Sequence, residues 1–279
     1  MNRKSLAFYG LKWSPFSPEV PTEALYVSRQ IEWFCWRVES LVNEGGFALV
    51  TGQPGLGKSV ALRVLADRLG AQQNLHVGIL SRPQAGLPDF YRELGDLFGV
   101  SLRPNNRHTG SNVLRQRWQA HIDSAFGRPV LIVDESQEMT APVLAELRLL
   151  ASFKLDSRVL LTVVLAGDQR LVDRFRSDEL LPLGSRIRAR LALERASPEE
   201  LQACLRNALD KAGAPQLITP DLISTLSEHA QGNYRALMNM AGELLAIAAQ
   251  REARQIDEKL FLEAYASQAP HNKTAGRRR

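Results

Sequence analysis

Cysteine is scarce. Among 279 residues only Cys35 and Cys204 occur, far apart and with no second Cys or His at ligand spacing, so nothing supports a zinc site or a disulfide framework. A reduced, cytosolic protein is the expectation that follows. Long apolar runs are also missing: the best candidates, around Val159 to Ala166 and Leu244 to Ala249, fall far short of the roughly 20 residues that span a bilayer. Nor is there a secretory signal. Arg3 and Lys4 are followed by Phe8-Tyr9-Gly10-Leu11-Lys12-Trp13 in place of an apolar stretch with a small-residue cleavage site. The expectation is a soluble chain with no membrane partner. Charge of one sign is only slightly in excess, with 35 Lys and Arg against 30 Asp and Glu, a formal +5. That balance leans toward polyanionic partners without deciding the matter.

What is present suffices for a real core, since 44% of the residues are apolar. The first 45 residues are aromatic and Pro-rich, with Phe8, Tyr9, Trp13, Phe16, Tyr26, Trp33, Phe34 and Trp36, a density that signals packing, and one helix is predicted from about Ser28 to Asn43. Apolar strand candidates follow at Phe47 to Thr51, His76 to Leu80, Pro129 to Val133 and Val159 to Ala166, separated by segments of helical periodicity. Alternation of this kind predicts an α/β fold, a mostly parallel sheet with helices on both faces. After Arg190 only helices are predicted. Ser197-Pro198-Glu199-Glu200 starts one, Thr219-Pro220-Asp221 the next, a third runs from about Asn233 to Arg251, and a fourth starts near Asp257. The expected organisation is an N-terminal segment and helix over 1–45, an α/β core over 46–194, a small all-helical lid over 195–268, and a basic disordered tail over 269–279.

The strongest local signal is Gly52-Gln53-Pro54-Gly55-Leu56-Gly57-Lys58-Ser59, which fits G-x-x-x-x-G-K-[ST] in full and lies between a predicted strand and a predicted helix that continues at Val60. Glycines let backbone N–H groups curl around phosphates, and the helix behind them offers its positive end to the same anion. Lys58 is placed to reach the β- and γ-phosphates of ATP and Ser59 to ligate Mg²⁺. A second half-site appears at Val130-Leu131-Ile132-Val133-Asp134-Glu135, where two carboxylates end an apolar strand. Asp134 is assigned to the metal and Glu135 to the attacking water. The strand ending at Ala166 leads into Gly167-Asp168-Gln169, and in a parallel sheet its end lies beside the other two. Asp168 is the first choice and Gln169 the second for contacting the γ-phosphate or the water, with an ordinary turn as the alternative.

From Phe8 to about Ala266 the chain resembles the AAA+ ATPases. Phe8-Tyr9-Gly10-Leu11, Ser14-Pro15-Phe16, the phosphate loop, Leu147-Arg148-Leu149-Leu150 and Leu165-Ala166-Gly167 are similar to the ExeA-like branch. That branch holds general-secretion ATPases and the transposition helper ATPases of the TniB, TnsC and MuB type. The resemblance implies a site completed by an arginine from a neighbouring subunit, within Gly184-Ser185-Arg186-Ile187-Arg188-Ala189-Arg190, just before the last core strand. Arg186 is the best match and Arg190 the second. It also implies that Arg235, in Gly232-Asn233-Tyr234-Arg235, approaches the γ-phosphate from the lid of the same chain.

The transposition-helper resemblance implies double-stranded DNA, bound without reading sequence, as a partner, together with a transposase and a further targeting protein. It implies a homo-oligomeric ring or helical filament of about six or more subunits per turn. The lack of a membrane span, or of residues left over for a cell-wall-binding region, favours this reading over a secretion-associated ATPase acting on protein partners at the envelope. A nucleotide-gated switch is the third reading. Candidate DNA contacts are Arg82 and Gln84 in Ser81 to Gly86, and Arg103 and Arg107 in Arg103 to His108, with a solvated loop as the alternative for each. For the tail, with Lys273 and Arg277 to Arg279, the alternatives are binding DNA, clasping a partner or keeping the chain soluble, the last two favoured equally.

Overall fold

A computed structural model describes residues 3–73, 75–102, 107–125, 127–153 and 157–266. The chain opens with α1 (Arg3–Tyr9) and a 3-10 turn at Thr22–Ala24, then forms α2 (Arg29–Leu41). Strands and helices alternate from there. β1 (Gly46–Gly52), α3 (Lys58–Gly70), β2 (Val77–Leu80), α4 (Leu87–Phe98), α5 (Arg107–Ala125) and β3 (Val130–Val133) come first. A 3-10 turn at Ser136–Glu138 precedes α6 (Ala141–Ala151) and the two-residue strands β4 (Ser152–Phe153) and β5 (Arg158–Val159). β6 (Thr162–Gly167), α7 (Gln169–Arg174), α8 (Leu181–Gly184) and β7 (Ile187–Leu193) complete this part. The remainder is helical: α9 (Pro198–Ala212), α10 (Pro220–His229), α11 (Tyr234–Gln250) and α12 (Glu258–Ala266).

Five strands form one sheet in the order β2-β3-β6-β1-β7, and every neighbouring pair is parallel. β3 and β6 are buried along their whole length, which is why both read as unbroken apolar runs. Along β1 the side chains alternate. Phe47 and Leu49 join a core with Leu94, Trp118, Leu131, Leu144 and Leu165 under α4, α5 and α6, while Ala48 and Val50 face the other way. α2 and α3 bury Phe34, Val38, Leu62 and Leu65. All four strand ends that matter for chemistry, those of β1, β3, β6 and β7, therefore open on the same side of the sheet.

Two compact units divide the chain: residues 27–194 form one, and residues 1–26 together with 195–279 form the other. The break at 194/195 is where the sequence places its core-to-lid boundary. The start of the chain is apportioned differently, because its two aromatic groups have different partners. Tyr9, Trp13 and Phe16 pack on the helical core built from Leu201, Leu205, Leu222, Leu237 and Leu244. Tyr9 donates its hydroxyl hydrogen to the Ala253 carbonyl at 2.8 Å, and Asn207 Nδ2 donates to the Ala24 carbonyl at 2.9 Å. α2 instead packs within the larger unit through Ile31, Phe34, Cys35, Val38 and Leu41. Trp33 and Trp36, at 63% and 59% exposure, lie on its outer face and are no part of the expected packing.

Helix starts follow local chemistry. Ser28 caps α2, accepting from the Ile31 amide, and Ser197 and Glu200 form a reciprocal capping box at α9. Thr219 and Asn233 cap α10 and α11 in the same way. Two strand boundaries differ from expectation. The apolar run Val159 to Ala166 is not one strand: Val159 pairs with Ser152 in the antiparallel β4-β5 pair, Leu160 donates its amide to the Ala151 carbonyl, and the sheet strand begins at Thr162. Apolar composition alone cannot register such a bend. β7 likewise begins at Ile187, so Arg188 and Arg190 lie within the last core strand and only Arg186 precedes it. Among the described residues no helix is long and apolar enough to cross a membrane.

Candidate nucleotide site

The turn from β1 into α3 is shaped by glycine. Gly55 and Gly57 sit at φ 85° and 101°, in the left-handed region that residues with a Cβ rarely adopt. Gly52 is needed for a different reason: a Cβ there would stand 3.0 Å from both Cβ and O of Leu193 in β7. With Gly57 as its N-terminal flanking residue, α3 opens straight onto the loop, so its first amides and its positive end face the same concavity. Lys58 is buried at 6% exposure, and its ammonium donates to the carbonyls of Gly52 at 2.9 Å and Gln53 at 3.3 Å. The loop thus folds around a lysine head group that an anion can recruit.

Asp134 follows β3 directly and meets this loop across the sheet end. Ser59 Oγ donates to Asp134 Oδ2 at 2.8 Å, although the two residues lie in different parts of the chain. A hydroxyl and a carboxylate held together, beside a phosphate-binding loop, are the donor set that suits Mg²⁺, which takes one or two protein oxygens and completes its shell with phosphate and water. The other oxygen, Oδ1, accepts from the Glu135 amide at 2.8 Å.

Glu135 has φ 50° and ψ 38°, a left-handed conformation that costs a residue with a side chain on the order of 1–3 kcal/mol. It is held there from both sides, by the Asp134 carboxylate on its amide and by the Glu138 amide donating to its carbonyl at 2.9 Å. The consequence is directional: the chain turns sharply after β3 and leaves the Glu135 side chain exposed at the strand end.

Gln137 was not singled out from sequence, and it joins the site. Its Nε2 donates to Glu135 Oε2 in a short hydrogen bond, and its Oε1 accepts from the Asp168 amide at 3.3 Å. The available signal was the polar run Asp134 to Glu138 after four buried residues, which is longer than a simple turn needs.

Asp168 does lie at the end of β6, as expected. Its carboxylate caps α7, accepting from the Arg170 amide at 2.9 Å, and also receives Arg170 Nε at 2.9 Å. Arg170 binds Glu138 as well, at 3.0 Å. Gln169 Nε2 donates to Asp173 Oδ1 at 3.1 Å along α7. Of the three arginines, Arg188 is the one tied into its own chain at the sheet's edge, ion-paired with Glu44 and donating to the Gly45 carbonyl at 3.3 Å. Arg186 donates to Pro182 O at 2.6 Å and Arg190 to Gly184 O at 3.1 Å, both carbonyls of α8.

In the smaller unit, Arg235 is exposed in the first turn of α11. The turn before it is tightly made. Gln231 and Gly232 have φ 48° and 80°, a Cβ on Gly232 would stand 2.6 Å from Arg195 Cβ, and the Ala196 amide donates to the Gly232 carbonyl at 3.0 Å. Arg82 and Gln84 are exposed in the loop after β2. Arg103 lies outside the described residues, as does the side chain of Arg107, whose backbone begins α5; Lys273 and Arg277 to Arg279 also lie outside them.

The family described as "AAA domain" matches residues 42–175. The chain is 32% identical over 247 residues to general secretion pathway protein A of Aeromonas hydrophila, covering 87% of this chain and 44% of that protein. The chain thus spans less than half the length of that relative. It is 26% identical over 254 residues to the ATP-dependent target DNA activator B of Escherichia phage Mu, covering 88% of this chain and 74% of that protein. In fold it is similar to Cdc6p from Pyrobaculum aerophilum, with a TM-score of 0.71 at 13% identity over 91% of this chain and 70% of that one.

Proposed function

We propose that this chain, which has an AAA+ P-loop fold, matches the AAA domain family over residues 42–175 and is similar to proteins of the ExeA-like branch, hydrolyses ATP and assembles on DNA to recruit or activate a transposase. The observation that carries the ATPase part is the hydrogen bond between Ser59 and Asp134, which brings the two halves of a nucleotide site together with Glu135 beside them. In this reading the loop amides and the α3 terminus bind the phosphates, and Lys58 exchanges its Gly52 and Gln53 carbonyls for phosphate oxygens. Ser59 and Asp134 hold the metal, which when bound neutralises charge on the β- and γ-phosphates. Glu135 takes a proton from the water whose oxygen attacks the γ-phosphorus as the bond to ADP breaks. Asp168 lines the water side, Arg235 comes from the same chain's lid, and Arg186, with Arg190 behind it, comes from the neighbouring subunit.

Support for a DNA role comes from the 26% identity to a protein described as an ATP-dependent target DNA activator, and from the formal charge of +5 with exposed Arg82 and Gln84 after β2. A ring or filament following phosphates has no need of base contacts. Electron microscopy of the protein with ATP and double-stranded DNA tests this. Rings or filaments that dissolve steeply with added salt are expected, and monomers under every condition overturn it. The higher identity, 32%, to a general secretion protein favours a second reading, an ATPase acting on protein partners at the envelope. Co-fractionation with membranes and indifference to DNA would establish that one instead.

A further inference from the structure

The 3-10 turn after Glu135 is anchored at every residue. Ser136 Oγ donates to the Val133 carbonyl at 2.9 Å, Arg174 Nη1 to the Gln137 carbonyl at 2.8 Å, and Arg170 to Glu138 at 3.0 Å. Gln137, only 9% exposed, spends both ends of its carboxamide on different elements: the donor end on the Glu135 carboxylate and the acceptor end on the Asp168 backbone amide. These two partners fix the amide's orientation, since a carboxylate only accepts and an N–H only donates. Space for the arrangement is reserved at Gly167, where any Cβ would stand 2.7 Å from Gln137 Oε1.

We propose that Gln137 is a positioning residue for Glu135, fastening the water-activating carboxylate to the end of β6 so that movement of the Asp168 backbone is passed directly to it. The proposal rests on the ATPase reading above. The physical need is plain. Glu135 is exposed at the end of a sharp turn, and three side-chain torsions leave its oxygens free to wander, while misplacing a reacting group by about 1 Å can cost up to about 100-fold in rate. A single donor from a buried, backbone-anchored amide removes that freedom at Oε2 and leaves Oε1 for the water. The same amide ties the carboxylate to Asp168, the residue that caps α7.

Steady-state and single-turnover ATP hydrolysis across pH, with fluorescent-nucleotide affinity, would be measured for the wild type, Gln137→Met, Gln137→Glu, and each of these combined with Glu135→Gln. Methionine matches the length and shape of glutamine without its hydrogen bonds. Gln137→Met is expected to lower kcat by about 10- to 100-fold with nucleotide affinity held within about twofold. Gln137→Glu retains an acceptor for the Asp168 amide but replaces the donor to Glu135 with a second carboxylate, so it should lose at least as much kcat as Gln137→Met with nucleotide affinity likewise retained. Neither substitution should slow the Glu135→Gln protein further. Unchanged kcat, a loss of affinity equal to the loss of kcat, or the full loss repeated in the Glu135→Gln background each overturns the proposal. A wild-type protein that binds ATP without hydrolysing it overturns the ATPase reading itself, before any variant is compared.

Discussion

On the ATPase reading, Glu135 concentrates the conflict between folding and function in one residue. Its positive φ is unfavourable for any side chain, and the chain nevertheless places a glutamate there. Glycine adopts φ 50° without that cost, so Glu135→Gly should raise folding stability by about 0.5–1 kcal/mol in chemical denaturation while abolishing hydrolysis. Glu135→Gln, which retains the strain, should bind nucleotide with little change in stability and turn over at a small fraction of the wild-type rate. A variant glycine protein that is less stable would place the strain elsewhere. The buried thiols give a second test. Burial pushes Cys35 up to about 11 and Cys204 up to about 12. Because the folded values lie above the unfolded one, these groups favour the folded state below about pH 9, and that contribution is lost as pH rises toward the folded values. Stability should decline above about pH 9, and a thiol reagent at neutral pH should label neither cysteine until the protein unfolds.

At the scale of elements, the Gly232 turn is the most constrained feature of the lid. A Cβ would meet Arg195 Cβ at 2.6 Å and Ala196 O at 2.9 Å, on a backbone already at φ 80°. Gly232→Ala should destabilise the smaller unit by roughly 1–3 kcal/mol, seen as an earlier unfolding transition of its helices with the phosphate loop's nucleotide affinity retained. Equal stability would mean that the turn relaxes. These elements also show what a sequence discloses. The loop Gly52 to Ser59 and the pair Asp134-Glu135 were legible because each needs a local pattern, glycines before a helix or carboxylates after an apolar strand. The caps at Ser197, Thr219 and Asn233 were legible for the same reason. Gln137 was not, because its role depends on the end of β6 being adjacent in the sheet. The start of β6 at Thr162 and of β7 at Ile187 escaped as well, since an apolar run marks burial and not the residue at which pairing begins.

The assembled particle sets the third scale. If ATP is shared between protomers, Lys58→Ala protein lacks nucleotide binding yet still offers Arg186, and Arg186→Ala protein binds nucleotide yet lacks the incoming arginine. Each alone should be inactive, and mixing them should restore a fraction of wild-type hydrolysis, measured as phosphate release against the ratio of the two. No recovery at any ratio would place Arg186 outside a shared site and shift attention to Arg190, which is exposed and donates to the Gly184 carbonyl in α8.

The divided start of the chain bears on how the protein is made. Tyr9, Trp13 and Phe16 pack on a helical core whose residues run from Leu201 to Ala264, so an early stretch of the sequence is covered by a much later one. The unit over residues 27–194 can close as it emerges, while Tyr9, Trp13 and Phe16 must wait for α9 to α12 before they are covered. A protein truncated before α9 would leave Tyr9, Trp13 and Phe16 without the helical core they pack on, and should be cleaved faster than the full chain in limited proteolysis.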